Sequence, residues 1–314
     1  MKVLVTGGTG FIGLHLARRL ISEGEEVVIV DNLSRGKADS SVSSLIDGGV
    51  KFIKCDLSET VPPDLGKDFD LVFHLAAING TKYFYERPEE VLSVNIISLV
   101  NILKWLRLNK SKRIVFSSSS EAYSGTIRTE NGPIPTDESV KLVIDDIFNP
   151  RLSYAISKIA GEALCFASEA QHSIDPVVVR LHNVYGPRMG TEHVIPEFLQ
   201  RAKARSNPFQ IYGGENTRSF CYVSDAVEGM LLAAKTRGEH RLFNIGNDKE
   251  EISMLHLANM IFDIFDYHPE VQVLRAPKGS VLRRVPDLTL ARRALKYSAK
   301  VSLEDGLKRT LRGE

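Results

Sequence analysis

A glycine-rich turn close to the start of the chain constrains its fold more than any other feature. The sequence TGGTGFIG at residues 6–13 follows a short apolar run, and Gly7, Gly10 and Gly13 fit the spacing GxxGxxG, while Gly8 in place of Gly7 fits GxGxxG. Apolar residues then recur at helical spacing, which predicts a helix directly after the turn. Glycines permit a tight turn and close approach of a phosphate to the backbone, and the first turn of the helix supplies free N–H groups. The segment therefore predicts a strand–turn–helix unit that binds a pyrophosphate.

An acidic residue at the end of the next apolar run indicates which dinucleotide this unit binds. Asp31 ends the run 27–30 and lies 18 residues after Gly13. Its carboxylate is placed to accept hydrogen bonds from a ribose hydroxyl and would repel a 2′-phosphate, so NAD is favoured over NADP. Arg35 could hold that extra phosphate, but with Asp31 present it is interpreted as a loop arginine. The predicted cofactor is NAD.

Short β-branched runs alternate with helical patterns through the first 180 residues. Such runs are typical of strands that are buried on both faces of a parallel sheet covered by helices. The alternation predicts an α/β fold, a Rossmann-type doubly wound parallel sheet with a smaller C-terminal lobe. The domain boundaries are 1–182 for the dinucleotide-binding domain and 183–314 for the main part of the second lobe. The predicted strands lie near residues 3–5, 27–30, 51–53, 71–73, 113–116 and 177–181.

Charge and cysteine content exclude several classes of protein. The 314 residues carry 40 Lys and Arg against 39 Asp and Glu, a net charge of +1, so the chain has no general field for nucleic acid or an anionic membrane. The cysteines Cys55, Cys165 and Cys221 form no CxxC pair, and the histidines form no HxH or HExxH motif, so neither a disulfide framework nor a metal site is predicted. No apolar run approaches the length of a membrane span. We expect a cytoplasmic protein.

Further motifs follow in a fixed order along the chain. Together with the N-terminal turn they resemble the extended short-chain dehydrogenase/reductase family, and within it the nucleotide-sugar epimerases, dehydratases and decarboxylases. The resemblance implies an NAD-dependent isomerase or lyase that acts through transient oxidation at C4 of a nucleotide-diphosphate sugar. It also implies that residues 225–246 return to the first domain, and that helices near 88–108 and 152–172 form a homodimer. The motifs are CDL at 55–57, HLAA at 74–77, YAISK at 154–158, RLHNVYGP at 180–187, TRSFCYVSD at 217–225, NIGN at 244–247 and RRVPD at 283–287.

The resemblance also implies a set of cofactor contacts drawn from the turn, the strand ends and one helix. These are Gly7, Gly10, Phe11, Ile12, Gly13, Asp31, Asn32, Ser34, Asp56, Leu57, Leu75, Ala76, Ala77, Asn95, Ser117, Tyr154 and Lys158.

Tyr154 and Lys158 lie four residues apart on a predicted helix, so both side chains project from one face. The resemblance makes Tyr154 the base that removes a proton from a sugar hydroxyl, and Lys158 the residue that tunes it and holds the nicotinamide ribose. A phenol with a pKa of about 10 is a weak base at neutral pH, but an adjacent ammonium and a positive nicotinamide ring favour the phenolate. Ser119 lies four residues before Tyr123, the place of the family's catalytic serine or threonine, and there it bridges Tyr154 and the substrate oxygen.

Glu121 departs from the simple 4-epimerase pattern. The resembling dehydratases and UDP-glucuronate decarboxylases have a glutamate here, and in dehydratases it removes the C5 proton of a 4-keto sugar. Ser120 stands where hexose 4,6-dehydratases have an acid, and RRVPD at 283–287 is more similar to the decarboxylases. RLHNVYGP at 180–187 and NIGNDKEEISM at 244–254 are similar to GDP-mannose 3,5-epimerases, whose catalytic cysteine position holds serine in this chain. Glu121 favours dehydratase or decarboxylase chemistry, and a UDP-sugar 4-epimerase is the alternative.

A nucleotide diphosphate requires local cations in a chain of near-zero net charge. Arg218 and one of Arg283 or Arg284 match positions where the family binds the diphosphate, and guanidinium forks suit phosphate geometry. Asn183 is expected to contact the diphosphate or the sugar.

A non-catalytic NAD-binding regulator of the same fold is the competing hypothesis, since a fold does not determine a function. The presence of Ser119, Tyr154 and Lys158 favours an enzyme.

Overall fold

The computed structural model describes residues 1–36, 38–129, 132–277 and 279–314, and within them strands and helices alternate. The strands are β1 (Lys2–Thr6), β2 (Glu26–Asp31), β3 (Lys51–Lys54), β4 (Leu71–His74), β5 (Arg113–Ser119), β6 (Asp175–Leu181), β7 (Val184–Tyr185), β8 (Phe209–Tyr212), β9 (Thr217–Ser219), β10 (Cys221–Tyr222), β11 (Leu242–Ile245), β12 (Glu251–Ser253), β13 (Val271–Leu274) and β14 (Arg283–Arg284). The helices are α1 (Phe11–Ser22), α2 (Ser40–Asp47), α3 (Thr81–Glu86), α4 (Pro88–Leu106), α5 (Ser124–Thr129), α6 (Ser153–His172), α7 (Val194–Lys203), α8 (Val223–Lys235), α9 (Met254–Phe265), α10 (Thr289–Leu295) and α11 (Leu303–Arg312).

A seven-stranded sheet forms the centre of the molecule, in the order β11-β6-β5-β4-β1-β2-β3. Every pairing in it is parallel. The order reverses between β1 and β4, the point where ligands bind in doubly wound sheets. The predicted fold class is confirmed.

Successive strand residues pack into two cores, one on each face of this sheet. Val3 and Val5 belong to one hydrophobic cluster, and Leu4 between them belongs to the other, with each side chain fully buried. Since neighbouring side chains on a strand point to opposite faces, a strand covered on both sides must be apolar at every position. This explains the uninterrupted apolar runs of the sequence.

The chain after residue 182 forms three small sheets as well as adding to the large one. β11 pairs with β6 in the main sheet, while β12-β9-β14, β10-β7 and β13-β8 are separate sheets. The division into lobes 1–182 and 183–314 stays a prediction.

The segment between β5 and α6 differs from its predicted form. The prolines and glycines of residues 125–150 predict an irregular loop, but α5 occupies its first part and a 3₁₀ turn, Pro150–Leu152, its end. Residues 130 and 131 of this loop lie outside the described residues. The Asn149 side chain caps the 3₁₀ turn by accepting a hydrogen bond from the Arg151 N–H. The turn leads directly into α6.

The helix that carries Tyr154 and Lys158 packs tightly on the sheet. A Cβ at Gly161 of α6 would lie 2.4 Å from Cζ of Phe116 on β5, so only glycine permits this approach. The next helix over, α4, packs along α6. Among the described residues, no helix combines the length and the apolar character needed to cross a bilayer.

Candidate active site

A cleft of about 600 Å³ crosses the carboxyl ends of the parallel strands. It extends from the glycine-rich turn to Tyr154 and Arg284. Parallel strands bring their carboxyl ends to one edge, so residues far apart in sequence meet here. Of the predicted cofactor contacts, those lining the cleft are Gly7, Gly10, Phe11, Ile12, Gly13, Asp31, Asn32, Ser34, Asp56, Leu57, Leu75, Ala76, Ala77, Ser117, Tyr154 and Lys158.

The glycine-rich turn is too tight for side chains at two of its positions. A Cβ at Gly13 would lie 2.2 Å from the carbonyl oxygen of Gly7. Gly7 has φ 70° and its Cβ would lie 2.8 Å from the Ala76 N. The turn presents bare backbone at the start of α1, where free N–H groups favour an anion. These features fit the pyrophosphate of NAD.

Asp31 lies at the adenosine end expected for the cofactor. It is buried, and its carboxylate accepts hydrogen bonds from the N–H groups of Thr9 (3.1 Å) and Leu33 (2.8 Å). Asn32 donates to the Asp56 carboxylate at 2.7 Å, which fixes the neighbouring wall. A carboxylate at this place favours a ribose hydroxyl over a phosphate.

Asn95 lies behind the cleft rather than on it. Its side chain accepts from the Ile78 N–H at 2.7 Å and donates to Ser157 at 3.1 Å. These bonds join α4, α6 and the loop after β4, so the observed contacts of Asn95 position the wall of the site. Asn95 is not among the residues that line the cleft, and its contact with the cofactor stays a prediction.

Two arginines near the cofactor turn have contacts that the sequence did not indicate. Cζ of Arg35 lies 5.7 Å from the centroid of the Tyr83 ring. Burial raises the pKa of Tyr154, and the positive charge of Arg35 offsets part of that rise. Arg188 donates to the Thr9 carbonyl at 3.0 Å and forms an ion pair with Asp39. Arg188 therefore links the loop after β7 to Thr9 of the glycine-rich turn and to Asp39, which both line the cleft.

The predicted catalytic residues Ser119, Tyr154 and Lys158 lie together on the cleft. Tyr154 stacks on Phe84 with ring centroids 5.1 Å apart, and Lys158 donates to the carbonyl of Ser117 at 2.8 Å. Burial lowers the pKa of Lys158 to about 8.

The pKa of Tyr154 differs from the sequence-based expectation. Burial raises it well above 10, Ser119 lowers it in part, and the Glu121 carboxylate raises it again. Lys158 donates to the carbonyl of Ser117 and not to the phenol, but its Nζ lies 5.4 Å from the centroid of the Tyr154 ring. A cation at that distance favours the phenolate through its charge.

Glu121 forms the centre of a largely buried charged cluster beside these residues. Arg284 Nη1 donates to Glu121 Oε1 at 2.7 Å, Arg151 Nη2 lies 3.6 Å from the same oxygen, and Ser124 donates to Oε2 at 2.7 Å. Burial would raise the pKa of Glu121, but the two arginines and the hydrogen bonds hold it well below its usual range. Glu121 is therefore a fixed carboxylate anion.

The structure separates the three candidate arginines, of which Arg218 and one of Arg283 or Arg284 were predicted to bind the diphosphate. Only Arg284 lines the cleft, and its partner is Glu121. Arg283 is exposed and forms two bonds to Glu251, because neighbouring residues on β14 point to opposite faces. Arg218 donates to the backbone carbonyls of residues 217, 281 and 282. These contacts do not support a diphosphate role for Arg283, and the roles of the other two stay predictions.

Asn183, the remaining predicted substrate contact, lines the cleft at the end of β6. Its side chain donates to the carbonyl of Ser219 at 2.9 Å, and its backbone has φ 41°. Sequence reasoning missed Arg151, although it lies three residues before Tyr154. The described residues contain no cluster of His, Cys, Asp and Glu suited to a metal ion.

The chain is similar to known proteins in both sequence and structure. Residues 3–246 match the model of the NAD dependent epimerase/dehydratase family. The chain is 34% identical to the UDP-N-acetyl-alpha-D-glucosaminuronate decarboxylase of Bacillus cytotoxicus, over 99% of this chain and 96% of that protein. The UDP-glucuronic acid 4-epimerase of Bacillus cereus, solved with UDP-glucuronic acid and NAD, superimposes with a TM-score of 0.89 at 28% identity over 100% of this chain and 98% of that one. The UDP-glucose 4-epimerase of Thermotoga maritima, solved with UDP-glucose, has a TM-score of 0.85 at 31% identity over 100% and 98%.

Proposed function

Because the chain belongs to the NAD-dependent epimerase/dehydratase family, we propose that it decarboxylates a UDP-linked uronic acid. It is an enzyme, and its cofactor is NAD. One observation carries the choice of a uronic acid: two arginines converge on a single, largely buried carboxylate beside Tyr154. The choice of decarboxylation rests on the similarity to the decarboxylase of Bacillus cytotoxicus.

The charged cluster has an excess of positive charge. Arg284 and Arg151 supply two guanidinium groups against the one carboxylate of Glu121. The Nε atoms of both arginines are buried without a hydrogen-bond partner among the described residues. Buried donors and charges are costly unless paired, so the cluster is suited to a second carboxylate. A uronic acid has such a group at C6, and a neutral hexose does not.

Dehydration is less compatible with this cluster. A glutamate that removes the C5 proton needs a pKa closer to neutral pH. Arg284 and Arg151 instead lower the pKa of Glu121, and Arg284 and Ser124 occupy both of its oxygens. The role as a C5 base, which the sequence suggested for Glu121, is thus not favoured by the geometry.

The residues of the chain have separate tasks in decarboxylation. NAD, once bound, would supply the hydride acceptor for C4 and the hydride donor for its final reduction. Tyr154 takes the proton of the C4 hydroxyl, with Ser119 beside it, and returns that proton to O4 when C4 is reduced again. Once C4 is a ketone, the C6 carboxylate is β to a carbonyl, so the C5–C6 bond breaks, CO₂ leaves, and the electron pair passes into an enolate on O4. Tyr154 and Ser119 donate hydrogen bonds to that oxygen, and a proton from water restores C5. Arg284 and Arg151 hold the carboxylate before it leaves.

A 4-epimerase is the second candidate, favoured by the overlay with the UDP-glucuronic acid 4-epimerase. Both reactions begin with oxidation at C4 of a uronic acid, and the products separate them. The enzyme should be incubated with UDP-glucuronic acid, UDP-N-acetylglucosaminuronic acid and UDP-glucose, followed by mass spectrometry and NMR. Loss of CO₂ from a uronic acid supports decarboxylation. An unchanged mass with an inverted C4 centre supports epimerisation and contradicts the proposal, and Tyr154→Phe is the inactive control.

We also propose a homodimer formed through α4 and α6. The two helices pack side by side, and Ile97 on α4 is exposed, as an apolar residue in an interface would be in the free chain. Light scattering should give twice the mass of 34.9 kDa, and Ile97→Glu should reduce it to that of one chain. A wild-type particle with the mass of one chain would contradict the dimer.

The cytoplasmic location stays a proposal that rests on the unpaired cysteines.

A further inference from the structure

Asn244 is a fully buried amide on β11 whose hydrogen-bonding groups are all used. Its Nδ2 donates to the carbonyls of Thr136 (3.0 Å) and Asp287 (3.2 Å). Its Oδ1 accepts from the Tyr123 hydroxyl (2.9 Å) and lies 3.0 Å from Nε2 of His182. Since Oδ1 can only accept, His182 must carry its proton on Nε2. Burial lowers the pKa of His182 to about 3, which agrees with a neutral ring.

One side of Asn244 holds the segment that follows Arg284. Asp287 lies three residues after Arg284, and its carbonyl accepts from Asn244. The Asp287 N–H donates to the Thr136 carbonyl at 2.8 Å, and the Thr136 N–H donates to the Val285 carbonyl at 2.9 Å. Thr136 and the backbone after Arg284 are therefore attached to the same amide.

The other side of Asn244 holds the turn that contains Glu121. Tyr123 belongs to the same 3₁₀ turn, Ser120–Tyr123, and donates to Asn244. Arg180 donates to the Tyr123 hydroxyl at 2.7 Å and forms a bidentate pair with the buried Glu162. This network fixes the turn to the main sheet.

We propose that Asn244 is a positioning residue that sets the register between Glu121 and Arg284. The amide contacts neither of them, but it joins the elements that carry each. Asn244 thus acts mainly on the step that depends on the charged cluster. Ser119 caps the same turn by accepting from the Glu121 N–H at 3.2 Å. Tyr154 and Lys158 lie on α6, outside this network, so oxidation at C4 is affected less. This inference rests on the proposed decarboxylation.

Asn244→Asp tests the inference because it keeps the shape and the Oδ1 acceptor but replaces the donor by an oxygen that faces two carbonyls. The matched control is Asn109→Asp. Asn109 is also buried, and its Nδ2 donates to two carbonyls, those of Phe69 (2.8 Å) and Ser111 (2.7 Å), while its Oδ1 accepts from the Phe69 N–H. It belongs to the far end of the sheet, away from the cleft residues.

Two rates are measured on each holoenzyme with UDP-glucuronic acid or UDP-N-acetylglucosaminuronic acid. The absorbance of reduced nicotinamide reports oxidation at C4, and trapping of labelled CO₂ reports decarboxylation. For Asn244→Asp we expect CO₂ release to fall on the order of tenfold or more, with cofactor reduction within about twofold of wild type, because misplacement of a binding group affects only the step that uses it. Asn109→Asp should leave the ratio of the two rates unchanged. If Asn244→Asp does not fold, Tyr123→Phe removes one bond of the same amide and should shift the ratio in the same direction.

The inference is overturned if both rates fall together, if CO₂ release is unaffected, or if Asn109→Asp changes the ratio equally. Absence of CO₂ release by the wild type would refute the proposed function instead. In that case crystal structures of the wild type and Asn244→Asp decide the inference. An unchanged contact between Glu121 and Arg284 overturns it, and a separation larger by about 1 Å or more supports it.

Discussion

Replacement of Arg284 by lysine keeps the positive charge of the cleft but removes the guanidinium fork. In the structure this fork reaches Glu121 through Nη1 and Ser124 through Nη2. A lysine ammonium is a compact donor that cannot occupy both places at once. Because the charge is retained, Glu121 keeps a cationic neighbour, and we expect the variant to fold.

The size of the effect follows from one hydrogen bond between the guanidinium and a carboxylate. Arg284 Nη1 donates to the Glu121 carboxylate at 2.7 Å, and Nη2 donates to the Ser124 hydroxyl at 3.3 Å. The proposed function requires an equivalent bond from this guanidinium to the sugar carboxylate. A hydrogen bond to a charged group contributes about 1.5–3 kcal/mol. Loss of one such contribution in the transition state lowers kcat/KM by about 10- to 150-fold, since about 1.4 kcal/mol corresponds to tenfold.

The assay is kcat/KM for CO₂ release from the UDP-linked uronic acid, with the thermal unfolding midpoint measured in parallel. Arg283→Lys is the matched control, since this neighbour is exposed and pairs only with Glu251. Exposed pairs contribute about 0–1 kcal/mol to stability, so the control should retain activity within about twofold. Arg284→Lys at wild-type activity, or an equal loss in Arg283→Lys, would refute the assignment of the carboxylate site to Arg284.

Three more outcomes follow from the site. Tyr154→Phe should lower turnover about 10²- to 10⁴-fold and leave the NAD content of the purified protein unchanged, and joint loss of cofactor and turnover would contradict its role as the base. The pKa of Glu121 is lowered from its ordinary value of 4.5. Its ionised form therefore stabilises the folded protein above pH 4.5, and this contribution is lost as the pH falls from there through the depressed pKa of the folded state. Glu121→Gln should therefore lose less thermal stability than the wild type when the pH is lowered from neutral to acid. An equal fall of the unfolding midpoint in the two proteins would contradict this. Gly13→Ala should abolish NAD retention because its Cβ would lie 2.2 Å from the Gly7 carbonyl oxygen, whereas Gly10→Ala, with a nearest contact of 3.2 Å, should retain more cofactor; equal NAD content in the two would argue against the tight turn.

Local spacing was enough to predict the cofactor half of the site. The glycines of the turn lie within residues 7–13, and Asp31 follows at the end of the next strand. Tyr154 and Lys158 share a helix face because of the helical repeat. Sequence and structure agree on these residues since their geometry is set within one or two adjacent elements.

The charged cluster depends on elements distant in the chain, and the sequence left it open. Glu121 and Arg284 are 163 residues apart, and only the pairing of β14 with β9 decides that Arg284 faces the cleft while Arg283 faces outwards. Arg151 lies in none of the motifs, and the motif NIGN at 244–247 assigns no role to Asn244. The partners of both residues are known only once the loops are folded.

The glycine-rich turn, the strands and the helix faces could be predicted from the sequence, because short-range periodicity governs them. The motifs indicated the family and its cofactor, and the residues proposed to act at C4 were predicted from the same resemblance. Only the folded chain shows the ionised state of Glu121 and the two arginines that surround it. Burial and long-range pairing set pKa values and unpaired donors, and these depend on which distant side chains the packed fold brings into contact.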